Sequence, residues 1–103
     1  MINIAQLIFL QEGKEKEFLE FESIAIPLME KYRGKMLYRI RPPENSFITA
    51  EAERPYEIHI ISFESEQDLS AFMQDEVRLN FLHLKEESVS SSILIMDKTA
   101  SPV

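Results

Sequence analysis

The sequence predicts an α+β domain in which two helices cover one face of a four-stranded antiparallel sheet. Three observations predict it. The chain reads twice as strand, helix, strand, with the helical pieces near residues 14 to 33 and 66 to 88, and each half must bury one sheet face under its own helix. The strand segments are apolar at both odd and even positions, where a half-wet sheet would alternate. At 103 residues, 45% hydrophobic and 28% charged, the chain has the size and composition of one globular domain around one core.

The first strand is Ile2 to Leu10, apolar apart from its polar centre at Gln6, and such a run fits a strand covered on both faces. From Lys14 to Tyr32 the residues Phe18, Phe21, Ile24, Leu28 and Tyr32 step by three or four, while Glu15, Glu17, Glu20 and Glu22 lie mostly off that stripe. Pro27 should kink this helix, and Gly34 supplies a left-handed stop. Lys35 to Arg41 alternates as a strand, with Lys35, Leu37, Arg39 and Arg41 on one side and Met36, Tyr38 and Ile40 on the other. Pro42-Pro43 interrupts it, and Phe47 to Thr49 is expected to resume it before a turn at Glu51 to Pro55. Tyr56 to Phe63 is a β-branched third strand. Ser65 with Asp68 makes a capping box, and Leu69, Phe72, Met73, Val77, Phe81 and Leu84 form the stripe of a second helix with an irregularity at Asp75. Ser92 to Asp97 is the last strand. Residues 1–98 are read as one domain, and 99–103 as a short polar tail expected to fray.

Strand, helix, strand, strand, helix, strand is the ferredoxin-like order. Its second sheet face is wet in a monomer, yet here Ala5, Leu7 and Phe9 oppose Ile4, Ile8 and Leu10, and Ile61 and Phe63 oppose Ile58 and Ile60. A second copy of the chain is the simplest cover, since two-fold homodimers are the commonest oligomers. The expected assembly is therefore two such sheets packed face to face.

Composition excludes several classes of function. The chain has no cysteine, which removes disulfide and thiolate chemistry and makes the cytoplasm the expected compartment. The first basic residue is Lys14, the wrong order for a secretory signal, and no apolar run reaches the ~18 residues of a membrane span. Gly13 and Gly34 are the only glycines, too few for a phosphate-cradling loop or a dinucleotide fingerprint. The net charge is −7, yet Lys31, Arg33, Lys35, Arg39 and Arg41 fall in an acid-free stretch, leaving −12 on the rest. So acidic a body repels nucleic-acid phosphates, and no nucleic-acid partner is expected. Lys31 and Arg33 suit a helix C-terminus, where cations offset the macrodipole.

The candidate site residues follow from charge and from polar breaks in the strands. Arg39 offers a planar fork of donors for a carboxylate; two readings stand, an ion pair with Glu57, Glu51 or an acid of a partner copy, or a small anionic ligand. Arg41 beside Pro42 is a solvated edge charge or a further contact for that anion. His59, between Ile58 and Ile60, is either a satisfied interior histidine or a general base. Gln6, Tyr38 and Tyr56 carry polar groups near the sheet centre, where they close a core or line a pocket; Gln6 and Tyr38 join Arg39 and Arg41 as candidate ligand contacts. His83 reads as a surface position, and Ser88 and Ser90 to Ser92 as a loop without a nucleophile elbow. No His-x-x-x-His or carboxylate cluster points to a metal site, and no cofactor is expected.

The stretch Lys31-Tyr32-Arg33-Gly34-Lys35-Met36-Leu37-Tyr38-Arg39, the strand ending Ile61-Ser62-Phe63-Glu64-Ser65 and the pair Ala71-Phe72 resemble the uncharacterised bacterial family numbered 1330 among domains of unknown function, in the dimeric α+β barrel superfamily. Arg33 stands where that family has a glycine, Ile40 and Arg41 follow Arg39 where glycines are usual, Ser62 replaces an acid, and Val77 a tyrosine. The resemblance implies a homodimer, and relatives in the superfamily include cofactor-independent mono-oxygenases, lactone isomerases and haem-processing enzymes. Two functions remain open. One is a small cofactor-independent enzyme of mono-oxygenase or isomerase type acting on a small apolar or aromatic anion, with Arg39 as anchor and His59 as proton carrier. The other is a homodimeric module that binds a small metabolite or only assembles. A cavity of a few hundred Å3 reached by Arg39 and His59 would favour the first, and a filled core with both side chains paired the second.

Overall fold

β1 (Ile2–Leu10) takes an inside position in the sheet, as its two-sided apolarity requires. In the computed structural model, which describes residues 1–98, it pairs antiparallel with β3 (Glu57–Phe63) on one side and β4 (Val89–Asp97) on the other. β2 (Gly34–Ile40) completes the order β2-β3-β1-β4 at the far edge of β3. This is the ferredoxin-like arrangement. The tail expected at 99–103 lies outside the described residues.

The register decides which side chains meet the helices, because residues directly opposite each other point to the same face. Ile2 faces Phe63, Ile4 faces Ile61, Gln6 faces His59 and Ile8 faces Glu57. These eight lie under α1 (Glu15–Met29) and the helical segment after β3. The core gathers Phe21, Ala25 and Met29 of α1 with Phe63, Phe72 and Leu84. The buried side of α1 is Phe18, Phe21, Glu22, Ala25 and Met29, so it is turned from the expected stripe: Ile24 and Leu28 are half-buried and Glu22 is inside. The helix runs through Pro27 and tightens into a 3-10 turn over Glu30–Tyr32.

The helix stop differs from expectation. Arg33, not Gly34, holds the left-handed conformation, with φ 57°, and its guanidinium bonds to Asp68 at 2.6 and 3.0 Å. Gly34 is needed for another reason. A Cβ there would lie 2.5 Å from Cε1 of Phe63, a residue that is 1% exposed and packed against the Phe72 ring. Gly34→Ala should therefore destabilise by about 2 kcal/mol through overpacking, lowering Tm by about 10 °C. A thermal melt that matches the parent would mean that Phe63 can be displaced.

Four further expectations are corrected. In β2 the pairing passes from Met36 opposite Ile61 to Tyr38 opposite Ile60, so Leu37 is an extra residue. Such a bulge exchanges the faces beyond it; Met36 and Arg39 share the helix face, while Tyr38 and Ile40 point to the open one. Phe47 to Thr49 does not resume the strand. Residues 41–56 form a loop with one 3-10 turn, Glu44–Ser46, because Pro42-Pro43 cannot donate to a ladder. The second helix is three pieces, α2 (Glu66–Met73), α3 (Glu76–Asn80) and α4 (Leu82–Ser88). Ser65 caps α2, its Oγ accepting from Asp68 N at 3.1 Å as expected. Asp75 does more than mark an irregularity: it caps α3, accepting from the amides of Val77 and Arg78 at 2.9 and 3.1 Å. The restart resets the helical phase, leaving Val77 and Phe81 exposed and turning Arg78 inward. Ser90 to Ser92 belong to β4, which begins at Val89.

The open sheet face stays apolar. Tyr38, Ile40, Ile93 and Ile95 are between 45% and 64% exposed, and Leu7, Ile58 and Ile60 between them are half-covered.

Candidate functional site

A buried carboxylate organises the helix face of the sheet. Glu57, at the start of β3 and 1% exposed, accepts from Arg39 Nε at 2.8 Å, Arg39 Nη2 at 3.3 Å and Arg41 Nη2 at 2.5 Å. His59 Nε2 lies 2.7 Å from Oε1, the oxygen that also accepts from Arg39 Nε. Burial pushes this carboxyl up, but the bonds from His59, Arg39 and Arg41 outweigh it and hold the pKa at about 2. An ionised carboxylate only accepts, so His59 Nε2 carries the hydrogen and, in the neutral ring, Nδ1 is left as an acceptor. Phe18 packs on the His59 ring at 6.4 Å between centroids.

Beside His59 lies a partly open cavity of about 70 Å3 between sheet and helices. Its wall is largely apolar, from Ile8, Phe18, Phe21, Ala25, Met29 and Met36, and its polar groups are Gln6, Glu22, His59, Arg78 and Lys85. Glu22 is 8% exposed and its carboxyl makes no hydrogen bond among the described residues. Burial raises its pKa above the ordinary carboxylate value, and the Glu57 charge adds to this, while His59, Arg39 and Lys85 pull the other way. A buried carboxyl with a raised pKa, without a hydrogen-bond partner and facing a cavity, is equipped to take and return a proton. Burial likewise lowers the pKa of Lys85, and Arg78 nearby adds to that.

The sequence-predicted residues divide into three groups. Gln6 and His59 are brought together, directly opposite in the register and both on the cavity wall. Arg39 and Arg41 reach His59 only through Glu57 and are not among the lining residues. The fork of Arg39 is filled by a carboxylate of its own chain, and Arg41, expected as an edge charge, is paired and lies 4.6 Å over the Tyr56 ring. Tyr38 is on the opposite sheet face, 64% exposed. Against the two outcomes set out above, Arg39 and His59 are both paired, as the second requires, while the cavity beside His59 is about 70 Å3, smaller than the first requires, and Arg39 does not line it. Glu22, Arg78 and Lys85 were missed. The spacing Phe18, Glu22, Ala25, Met29 would have found the first, because steps of four and three put it on the buried stripe.

No three His, Asp or Glu side chains gather as a metal site among the described residues. No helix there is long and apolar enough to cross a membrane.

No family model and no curated protein matches the chain, so the likeness to family 1330 rests on the quoted residues alone. Solved structures do match. A protein of unknown function from Rhodopseudomonas palustris has a TM-score of 0.81 at 17% identity, over 98% of this chain and 83% of that one. A dimeric ferredoxin-like protein of unknown function from Jannaschia sp. CCS1 has a TM-score of 0.71 at 14% identity, over 95% and 98%. A protein provisionally named an antibiotic biosynthesis monooxygenase, from Nitrosomonas europaea, has a TM-score of 0.66 at 9% identity, over 98% and 100%. At these identities the likeness establishes the ferredoxin-like α+β fold of this chain, and nothing finer.

Proposed function

We propose that the chain is a homodimeric, cofactor-independent enzyme that moves a proton on a small, mostly apolar anion held between sheet and helices. The observation that carries this reading is Glu22, a buried carboxyl without a hydrogen bond on the wall of an apolar cavity. Glu22 takes a proton from a carbon next to a carbonyl or alkene of the bound molecule. His59, held by Glu57 and with Nδ1 open, relays the proton between substrate positions. Return of the proton to a second carbon completes an isomerisation. The same proton removal can open a mono-oxygenation in which dioxygen converts a substrate CH2 to C=O and leaves its second oxygen as water; mono-oxygenase is the activity for which the Nitrosomonas europaea protein is named. The test is exchange of substrate C–H for deuterium in D2O, compared between the parent and Glu22→Gln. A second reading, a binding module without catalysis, is favoured by the pairing of both His59 and Arg39 with Glu57. Its signature is binding without exchange.

The dimer is supported by the open face. Tyr38 and Ile40 at one edge and Ile93 and Ile95 at the other border a continuous apolar surface, and large patches of this kind are uncommon on monomers. The parent should elute at twice the 12.0 kDa of one chain, and Ile95→Lys, on the open face of β4, at the single-chain mass. A parent that runs at 12.0 kDa at micromolar concentration contradicts the dimer.

A further inference from the structure

We infer that Arg78 anchors the carboxylate of the molecule in this cavity, and that this molecule is a short aliphatic monocarboxylic acid. The inference rests on the cavity being a ligand site, as proposed above. Arg78 is 5% exposed, unusual burial for an arginine without an ionic partner. Its Nη1 donates a long bond of 3.4 Å to the Met73 carbonyl, and its Nε has no hydrogen-bond partner among the described residues. No carboxylate among the described residues is in ion-pair contact with it, and Glu22 acts on it only through space. Instead the guanidinium lies 5.8 Å from the Phe21 ring centre and 5.3 Å from that of Phe72. Ring faces are weaker partners than a carboxylate, and a buried donor without an acceptor is costly. Asp75 fixes the backbone that presents this side chain, through its bond to the Arg78 amide.

Position, charge and size narrow the ligand. Arg78 borders both the cavity beside His59 and an adjoining groove of about 190 Å3, and Lys85 and Gln6 border both as well. A carboxylate at that junction meets the open donors of Arg78, with its tail against Met29 and Met36. With Glu22 ionised, Arg78 and Lys85 leave one positive charge in excess, which a monocarboxylate balances and a dicarboxylate exceeds. With the carboxylate at the junction, the tail has the cavity of about 70 Å3, about half the 150 Å3 that holds an aromatic ring, so a short branched or linear chain fits better.

Thermal shift and calorimetric titration of the full chain with isobutyrate, isobutyramide and benzoate test this. Isobutyrate should bind and raise Tm, the uncharged isobutyramide should not, and benzoate should bind more weakly. Arg78→Met keeps the stem and removes the unpaired cation; it should fold with an unchanged or higher Tm and bind isobutyrate about 30-fold more weakly. If Arg78→Met fails to fold, Arg78→Lys, which keeps the charge and loses the fork, should still bind more weakly than the parent. Equal response to acid and amide, or parental affinity in either folded variant, overturns the anchor; tighter binding of benzoate overturns the size assignment. Carboxylate binding without deuterium exchange leaves the anchor standing and removes the enzyme reading, and exchange that does not depend on an acid group does the reverse.

Discussion

Glu57→Ala lowers the stability of the chain by about 3 kcal/mol, a fall in Tm of about 15 °C for a domain of this size. The magnitude follows from what the carboxylate holds. It is 1% exposed and accepts from His59, Arg39 and Arg41; removing it strands His59, whose side chain is 4% exposed. The Arg39 and Arg41 side chains are 34% and 51% exposed, so water takes up part of their loss and the total stays at the lower end for a broken buried pair. The pH dependence identifies the cause. A carboxyl held at about 2 against an ordinary 4.5 contributes stability that is complete above pH 4.5 and is lost as pH falls through about 2. The Tm gap between parent and Glu57→Ala should thus be full at pH 6 and close toward pH 2. A gap as wide at pH 2 as at pH 6 would assign the loss to the missing volume and not to the charge.

Glu22→Gln has the opposite effect on stability and the larger effect on activity. Turnover should fall by about a thousandfold, the weight of a positioned general base, while the protein becomes more stable by about 1 kcal/mol at neutral pH. The sign follows from burial. A carboxyl with a raised folded pKa contributes fully below its unfolded value of 4.5 and loses that contribution as pH rises through the folded pKa. The neutral amide does not titrate, so its advantage should grow on the alkaline side of that pKa and vanish in acid. Differential melts across pH 4 to 8 read this directly, and a Glu22→Gln that melts below the parent at pH 8 would show that the carboxylate is held by partners.

The order of elements was legible because period and punctuation survive in the sequence: the two-sided apolarity of Ile2 to Leu10 and the three-and-four spacing around Phe18 and Phe21 each specify an element. The open apolar sheet face was legible for the same reason. Site geometry was less so, and each miss has a physical cause. The extra residue at Leu37 exchanges the faces of Tyr38 and Arg39, and no local residue type announces it. Asp75 restarts the helix, so a stripe drawn through Val77 and Phe81 leaves the surface residues inside and Arg78 outside, the reverse of what is found. Glu22 was hidden among four glutamates read as one wet face, although its spacing from Phe18 and Ala25 placed it on the dry one. Of the two readings of Arg39, an ion pair or a small anionic ligand, the structure supplies the ion pair, with Glu57.

The two charged clusters divide the labour. Glu57 with Arg39 and Arg41 closes the solvent edge of the sheet and fixes the His59 ring, while Glu22 with Arg78 and Lys85 is unsaturated and faces the cavity. Buried groups that complete one another stabilise a fold; buried groups left incomplete are retained at a cost that binding or catalysis offsets. Proton NMR of the parent and Glu22→Gln in D2O, with but-3-enoate and 2-oxobutyrate as probes, tests this most directly. The account predicts loss of the C–H signal next to the alkene or carbonyl faster than in buffer for at least one probe, and a return to the buffer rate in Glu22→Gln. Exchange at the same rate in parent and variant would contradict it.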